Sequence, residues 1–206
     1  MSWECAQDLA ACVERQVSDE AGLFSPILKL DPPSISIAEL GCGRGAPTCA
    51  LLVALDRVGF PGAVSATFQD MDESTIESVT KPFVESELVK LSIAFRSRLT
   101  IKFKFSTWDA LDIPRESQDI ILSSECIYRG DLFASHAGVL TRALSPNGIA
   151  VIAGKRYYFG CGGGTIEFSE YLLSQSAERG WKIDLVSVFE DGMSNTREII
   201  SVSRSC

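Results

Sequence analysis

Short apolar segments of strand length recur along this chain with helix-patterned segments between them. That alternation limits what the chain can fold into more than any other feature. "ISIAEL" ends at Leu40 and "TCALLVAL" follows with a continuous apolar helix pattern. "AVSATFQD" alternates as a strand does. Asp72 and Glu73 then open a helix toward Val79, before Pro82, and "ESELVKLSIAFRSR" reads as one amphipathic helix. "LTIKFKF" alternates strictly, and "DIILSSE" is a short buried strand. "DLFASHAGVLTRAL" is a helix stopped by "SPNG". "GIAVIAG" is a strand, and "IEFSEYLLSQSAERG" is a helix ending at Gly180. Strands alternating with helices predict a mostly parallel sheet with helices on both faces.

The ending breaks the pattern. "KIDLVSVFE" and "REIISVSRS" are two strands joined by the turn "DGMSN", a hairpin that forces one strand antiparallel to the rest. The expected fold class is therefore α/β, with a seven-stranded sheet and one antiparallel strand from a C-terminal hairpin. Helical spacing at Leu9, Ala10, Cys12, Val13 and Val17 adds an N-terminal helix, closed by "LDPPS". The 206 residues suit one domain.

In such sheets ligands bind beyond the carboxyl ends of the strands, so the strand ends hold the candidate site. The first is "ELGCGRG", Glu39 to Gly45, with Pro47 suited to the first turn of the next helix. Gly41 and Gly43 permit a sharp turn and close approach of a ligand to the backbone, at a helix N-terminus. Gly41, Gly43 and Ala46 also satisfy the loose dinucleotide pattern. The loop alone therefore does not separate a nicotinamide cofactor from S-adenosylmethionine. The second end, "FQDMD", offers Asp70 as acceptor for two ribose hydroxyls, while Asp72 reads as a helix cap. The third, "STWD", places Trp108 where an adenine could stack, or where a core tryptophan would sit. The fourth, "ILSSECIY", carries Ser124, Glu125 and Tyr128. Glu125 either orients a nucleophile or caps the helix near Asp131. The fifth, "KRYYFGCGGG", sets three aromatics before a glycine run that no core requires.

Composition narrows the partners. The formal net charge is -8, which argues against a nucleic-acid platform and for a basic protein partner. Seven cysteines without a C-x-x-C pair, and one histidine, His136, offer no zinc set, so no metal is expected. Scattered cysteines read as reduced, buried thiols of a cytoplasmic or nuclear protein. His136 reads as a core or helix-surface residue. The N-terminal charges Glu4, Asp8, Glu14 and Arg15 exclude a signal peptide, and no apolar run reaches membrane-spanning length.

Taken together, "WECAQDL", "ELGCGRG", "FQDMD", "STW", "LSSECIY" and "KRYYFGCGGG" resemble the seven-stranded S-adenosylmethionine-dependent methyltransferases. Within them the chain resembles the protein-histidine N-methyltransferases, beside the lysine methyltransferase-like enzymes. The glycine loop is generic to the superfamily, whereas "WEC", "SSE-x-IY" and "YYFG-x-GGG" are more specific. The resemblance implies a Rossmann-like sheet and S-adenosyl-L-methionine as cofactor, with S-adenosyl-L-homocysteine as product. It implies that the first helix covers the cofactor, with Trp3 and Glu4 closing over its methionine end. It places Glu39, Gly41 and Gly43 along the glycine loop, and Gln69 and Asp70 at the ribose with Met71 beside them. Thr107 and Trp108 flank adenine, and Ser124 lines the methionine side. The resemblance implies that Tyr157, Tyr158 and Phe159 wall a pocket for a flat side chain; on chemical grounds Glu125 or Tyr128 would accept the far N–H of an imidazole, and Glu125, Tyr128 and Tyr157 are the expected catalytic residues. Gly162 to Gly164 then let a protein chain pass close.

The implied substrate is a histidine of a basic large-subunit ribosomal protein, and the chain is expected to be a monomer. A lysine methyltransferase, a non-catalytic cofactor-binding biogenesis factor and, more distantly, a nicotinamide oxidoreductase are the alternatives. Two positions depart from the family: Asp72 stands where asparagine is usual, and Thr107 where an acid is. The family also carries a longer N-terminal extension, and this chain begins almost at "WEC".

Overall fold

A computed structural model describes residues 4–30, 32–175, 180–190, 192 and 195–205. Seven strands form one sheet: β1 Ser34–Leu40, β2 Ala63–Asp70, β3 Leu99–Phe105, β4 Gln118–Ser124, β5 Leu144–Lys155, β6 Trp181–Phe189 and β7 Arg197–Arg204. Their order is β3-β2-β1-β4-β5-β7-β6. The first five run parallel, and β7 lies antiparallel between β5 and β6. The hairpin read from the sequence therefore inserts its second strand, not its first, beside β5. The "DGMSN" turn falls mostly outside the described residues.

Helices cover both faces. They are α1 Glu4–Ser18, α2 Ser25–Leu28, α3 Ala46–Arg57, α4 Glu73–Thr75, α5 Lys81–Leu88, α6 Ile93–Arg96, α7 Phe133–Ala143 and α8 Thr165–Ser174. The two-residue strand period sorts the core. Ile35 and Ile37 of β1, Ile120 and Leu122 of β4, and Val151 and Ala153 of β5 pack with α1 and α3. Their neighbours Ala38, Leu40, Ile121, Ala150 and Ile152 pack on the other face with α7 and α8.

Three segments differ from the sequence reading. The single amphipathic helix expected over 85–98 is broken at Val89–Ser92. Ser92 donates its N–H and hydroxyl to Asp56, and its oxygen accepts the Phe95 N–H to start α6. That local cap outcompetes helix continuation. Conversely, the helix expected to end before Pro82 continues through a wide π turn, Ile76–Thr80, into α5. Pro82 sits at the start of α5, directly after that wide turn, where the hydrogen-bond pattern already changes. "SPNG" does end α7, but β5 begins at once at Leu144, with a register shift opposite Gln118 and Ile120. The expected end of α8 near Gly180 involves residues outside the described set.

Candidate active site

β1 lies between β2 and β4, where the chain order reverses, so the connections after these strands diverge and leave a crevice. A cleft of about 1020 Å³ opens there. It is lined by the glycine loop after β1, the acidic end of β2, Ser106–Asp109 after β3, Ser124–Arg129 after β4, and Lys155 and Tyr158 after β5.

The glycine loop is held from below by Asp70 and Gln69. The Gly43 N–H donates to Asp70 Oδ2 at 3.0 Å and the Gly41 N–H to Gln69 Oε1 at 3.1 Å. Gly41 has a φ of 60°, and a Cβ there would strike Cys126 Sγ. Only glycine lets the backbone form this wall of the cleft. Thr80 from the π turn donates its hydroxyl to the Gly43 carbonyl at 2.5 Å, tying the helix behind to the loop.

Asp70 reaches both its own loop and the cleft. Its second oxygen accepts from the Asp72 N–H at 3.3 Å, and each oxygen retains a lone pair. Gln69 is buried, and its oxygen also accepts from Trp108 Nε1 at 3.0 Å, while its amide donates to the Ser106 carbonyl at 2.7 Å. It sets the plane of the indole rather than presenting an acceptor to a ligand. Trp108 rests edge-on against His136, 4.9 Å between ring centres. His136 is fully buried, with Nε2 3.0 Å from Ser123 Oγ, and burial pulls its pKa down to about 3. It is therefore a neutral buttress, in line with the core reading.

Past Ser124 the chain turns sharply. Glu125 has a φ of 56° yet keeps its N–H on the Ala153 carbonyl at 3.0 Å. Its Oε2 accepts from the Tyr158 hydroxyl at 2.5 Å, so it is not the cap of the following helix. Burial, and after it that bond, push the Tyr158 phenol pKa up.

The aromatic-glycine loop is packed against the loop after β4. Gly164 donates to the Ile127 carbonyl at 2.9 Å, and Tyr158 donates to the Gly163 carbonyl at 2.9 Å. A Cβ on Gly163 would lie 2.5 Å from the Tyr128 carbonyl carbon and 2.7 Å from the Arg129 nitrogen. The close approach this glycine permits is thus between two loops of the same chain.

No family model matches the chain. It is 29% identical over 203 residues to the histidine protein methyltransferase 1 homolog of Dictyostelium discoideum, covering 98% of this chain and 56% of that one. Against the Bos taurus protein of the same name it is 28% identical over 193 residues, covering 82% and 47%. The chain thus spans about half the length of these curated relatives. The structure of a DszA carbon methyltransferase superposes with a TM-score of 0.64 at 14% identity, over 98% of this chain and 55% of that one. A TehB-like SAM-dependent methyltransferase of Corynebacterium glutamicum gives 0.52 at 16% identity, over 97% and 98%. The fold is the Rossmann-like methyltransferase fold. In sequence, the chain resembles the histidine protein methyltransferases along nearly its whole length.

Within this methyltransferase fold the cleft gathers Gly41, Gly43, Gln69, Asp70, Met71, Thr107, Trp108, Ser124, Glu125 and Tyr128. Three expected residues fall elsewhere among the described residues. Glu39 shares its strand face with Ile35 and Ile37, so it points under α3. There it is 1% exposed and accepts the Thr48 N–H at 2.9 Å, and burial raises its pKa to about 7. Glu4 opens α1 and faces Arg197 at 3.5 Å, while Ala6 lines the cleft. Tyr157 is 42% exposed and outside the cleft, with its carbonyl accepting from Asn195. Tyr158 takes the place expected of it. Trp3 lies outside the described residues. Strand parity could have removed Glu39 in advance. Nothing in three consecutive aromatics says which one turns inward. Among the cysteines described, Cys5, Cys12, Cys42, Cys49 and Cys126 are buried free thiols, but Cys161 is exposed on the aromatic loop.

Proposed function

We propose that this chain binds S-adenosyl-L-methionine in the cleft and methylates a histidine side chain of a basic protein. One observation carries the reading: the glycine loop, Asp70, Trp108 and the tethered Glu125 line a single cleft at the strand ends. The cofactor suits the residues present. Gly43 has open space beside its Cα, Asp70 keeps two lone pairs for ribose hydroxyls, and the fixed indole of Trp108 offers a face to adenine. Thr107 and Met71 border the same space, and Ser124 lies toward Glu125. Bound there, S-adenosylmethionine supplies a methyl group activated by its sulfonium charge.

The protein's contribution is orientation and field. A histidine with a pKa of about 6.5 is mostly neutral at pH 7, whereas freeing a lysine amine from a pKa of about 10.4 costs about 4–5 kcal/mol. A single acceptor suffices for histidine. Glu125 takes the far ring N–H, so the other ring nitrogen carries the lone pair toward the methyl group. Its negative charge also favours the ring as it becomes positive. The names of the relatives support histidine over lysine. The charge of -8 favours a basic substrate; a large-subunit ribosomal protein, met in the cytoplasm or nucleus, is the class the resemblance implies.

The test is methyl transfer from labelled cofactor into an extract lacking this enzyme, followed by acid hydrolysis and amino-acid analysis. Methylhistidine is the expected product. Methyllysine would reassign the nucleophile, and binding without transfer would make the protein a cofactor-binding factor.

A further inference from the structure

The function proposed above gives Glu125 a task and leaves Tyr158 without one. Glu125 adopts a left-handed backbone, which is strained for a residue with a side chain. Its N–H is still paired with Ala153, so the conformation belongs to an anchored residue and not to a frayed strand end. Beside it, the Tyr158 oxygen accepts the Lys155 backbone N–H at 3.0 Å and donates to Glu125 Oε2 at 2.5 Å. With one lone pair taken by that N–H, the hydroxyl proton goes to the carboxylate.

The ring is fixed as well. Tyr128 meets it edge-on at 6.3 Å, and the Lys155 ammonium lies 5.9 Å over its face. Burial, and after it the nearby Glu125 carboxylate, raise the pKa of the Cys5 thiol on α1. Glu125 thus lies near α1 and is bonded to the segment after β5.

We infer that Tyr158 is a positioning residue: it pins one oxygen of Glu125 so that the other presents a single, directed acceptor to the substrate. An untethered carboxylate offers two oxygens in many orientations. A tethered one matches the lone N–H of a neutral imidazole better than the two N–H groups of the neutral amine that a lysine must become to attack. The inference rests on the histidine reading.

The test uses the full-length protein with Tyr158→Phe, Glu125→Gln and the double variant. Two quantities are measured. One is S-adenosylhomocysteine affinity by calorimetric titration. The other is the initial rate of methylhistidine formation in the same extract. Tyr158→Phe is expected to slow the rate on the order of 10²-fold, as misplacement of a reacting group does, with product affinity unchanged. Because Tyr158 acts through Glu125, adding Tyr158→Phe to Glu125→Gln should cause no further loss. Losses that multiply in the double variant, a wild-type rate in Tyr158→Phe, or loss of product binding in it would each overturn the role. A wild-type protein that labels no histidine would instead sink the underlying reading, and this inference with it.

Discussion

Asp70 performs two tasks with one carboxylate: it holds the Gly43 and Asp72 N–H groups and faces the cleft. Asp70→Ala removes the brace of the loop together with the proposed ribose acceptor. A hydrogen bond to a charged group contributes about 1.5–3 kcal/mol, so S-adenosylhomocysteine affinity should drop at least about 10- to 100-fold. Titration calorimetry reads it, and unchanged affinity would place the nucleoside elsewhere. Asp72, by contrast, is the helix cap the sequence indicated, accepting from Ser74 and Thr75. Glu39 tests a different property. Its pKa is raised from 4.5 to about 7 by burial, so the stability of its neutral form is complete below 4.5 and is lost as the pH rises through 7. Glutamine keeps the acceptor for Thr48 and cannot ionise. Glu39→Gln should therefore gain stability over the wild type between pH 5 and pH 8, by about 3 kcal/mol at the upper end. Urea unfolding at both pH values checks this, and parallel pH curves would refute it.

At the level of elements, the aromatic-glycine loop is fastened at both ends by β7. Glu198, 5% exposed, pairs with Arg156 before the loop at 2.6 Å and accepts from Thr165 after it. A buried carboxylate satisfied in this way resists removal far more than an exposed pair would. Between those ends, Gly163 lies against backbone atoms of Tyr128 and Arg129, which cannot rotate aside. Gly163→Ala should cost about 1–3 kcal/mol of overpacking and lower the melting temperature by roughly 3–10 °C. Because the pushed segment follows Glu125 directly, methyl transfer should fall more than cofactor-product affinity does. A thermal melt and the two assays above decide it. Wild-type stability in the variant would mean that the two loops do not meet as described. The sequence reading found this loop by its odd composition but assigned the close approach to a passing substrate chain. The packed partner is the Tyr128–Arg129 segment, distant in sequence, and no local pattern announces it.

For the whole molecule, the net charge of -8 makes a salt prediction. If the substrate is a basic protein, its capture should weaken on the order of tenfold between low and high salt, while turnover at saturation holds. Initial rates across ionic strength test it, and salt-independent capture would remove the electrostatic argument for a basic partner. The alternation of strand and helix patterns by itself determined seven strands, the closing hairpin and the strand ends where the cleft lies. Those are local consequences of side-chain period, which a single chain displays openly. Strand parity was legible too: Ile35, Ile37 and Glu39 share one face, which directs Glu39 beneath α3. Tertiary structure alone decided that β7 enters beside β5, that Tyr158 rather than Tyr157 reaches Glu125, and that Gln69 orients Trp108. Each of these depends on a partner contributed by a distant segment, which becomes a neighbour only when the sheet has assembled.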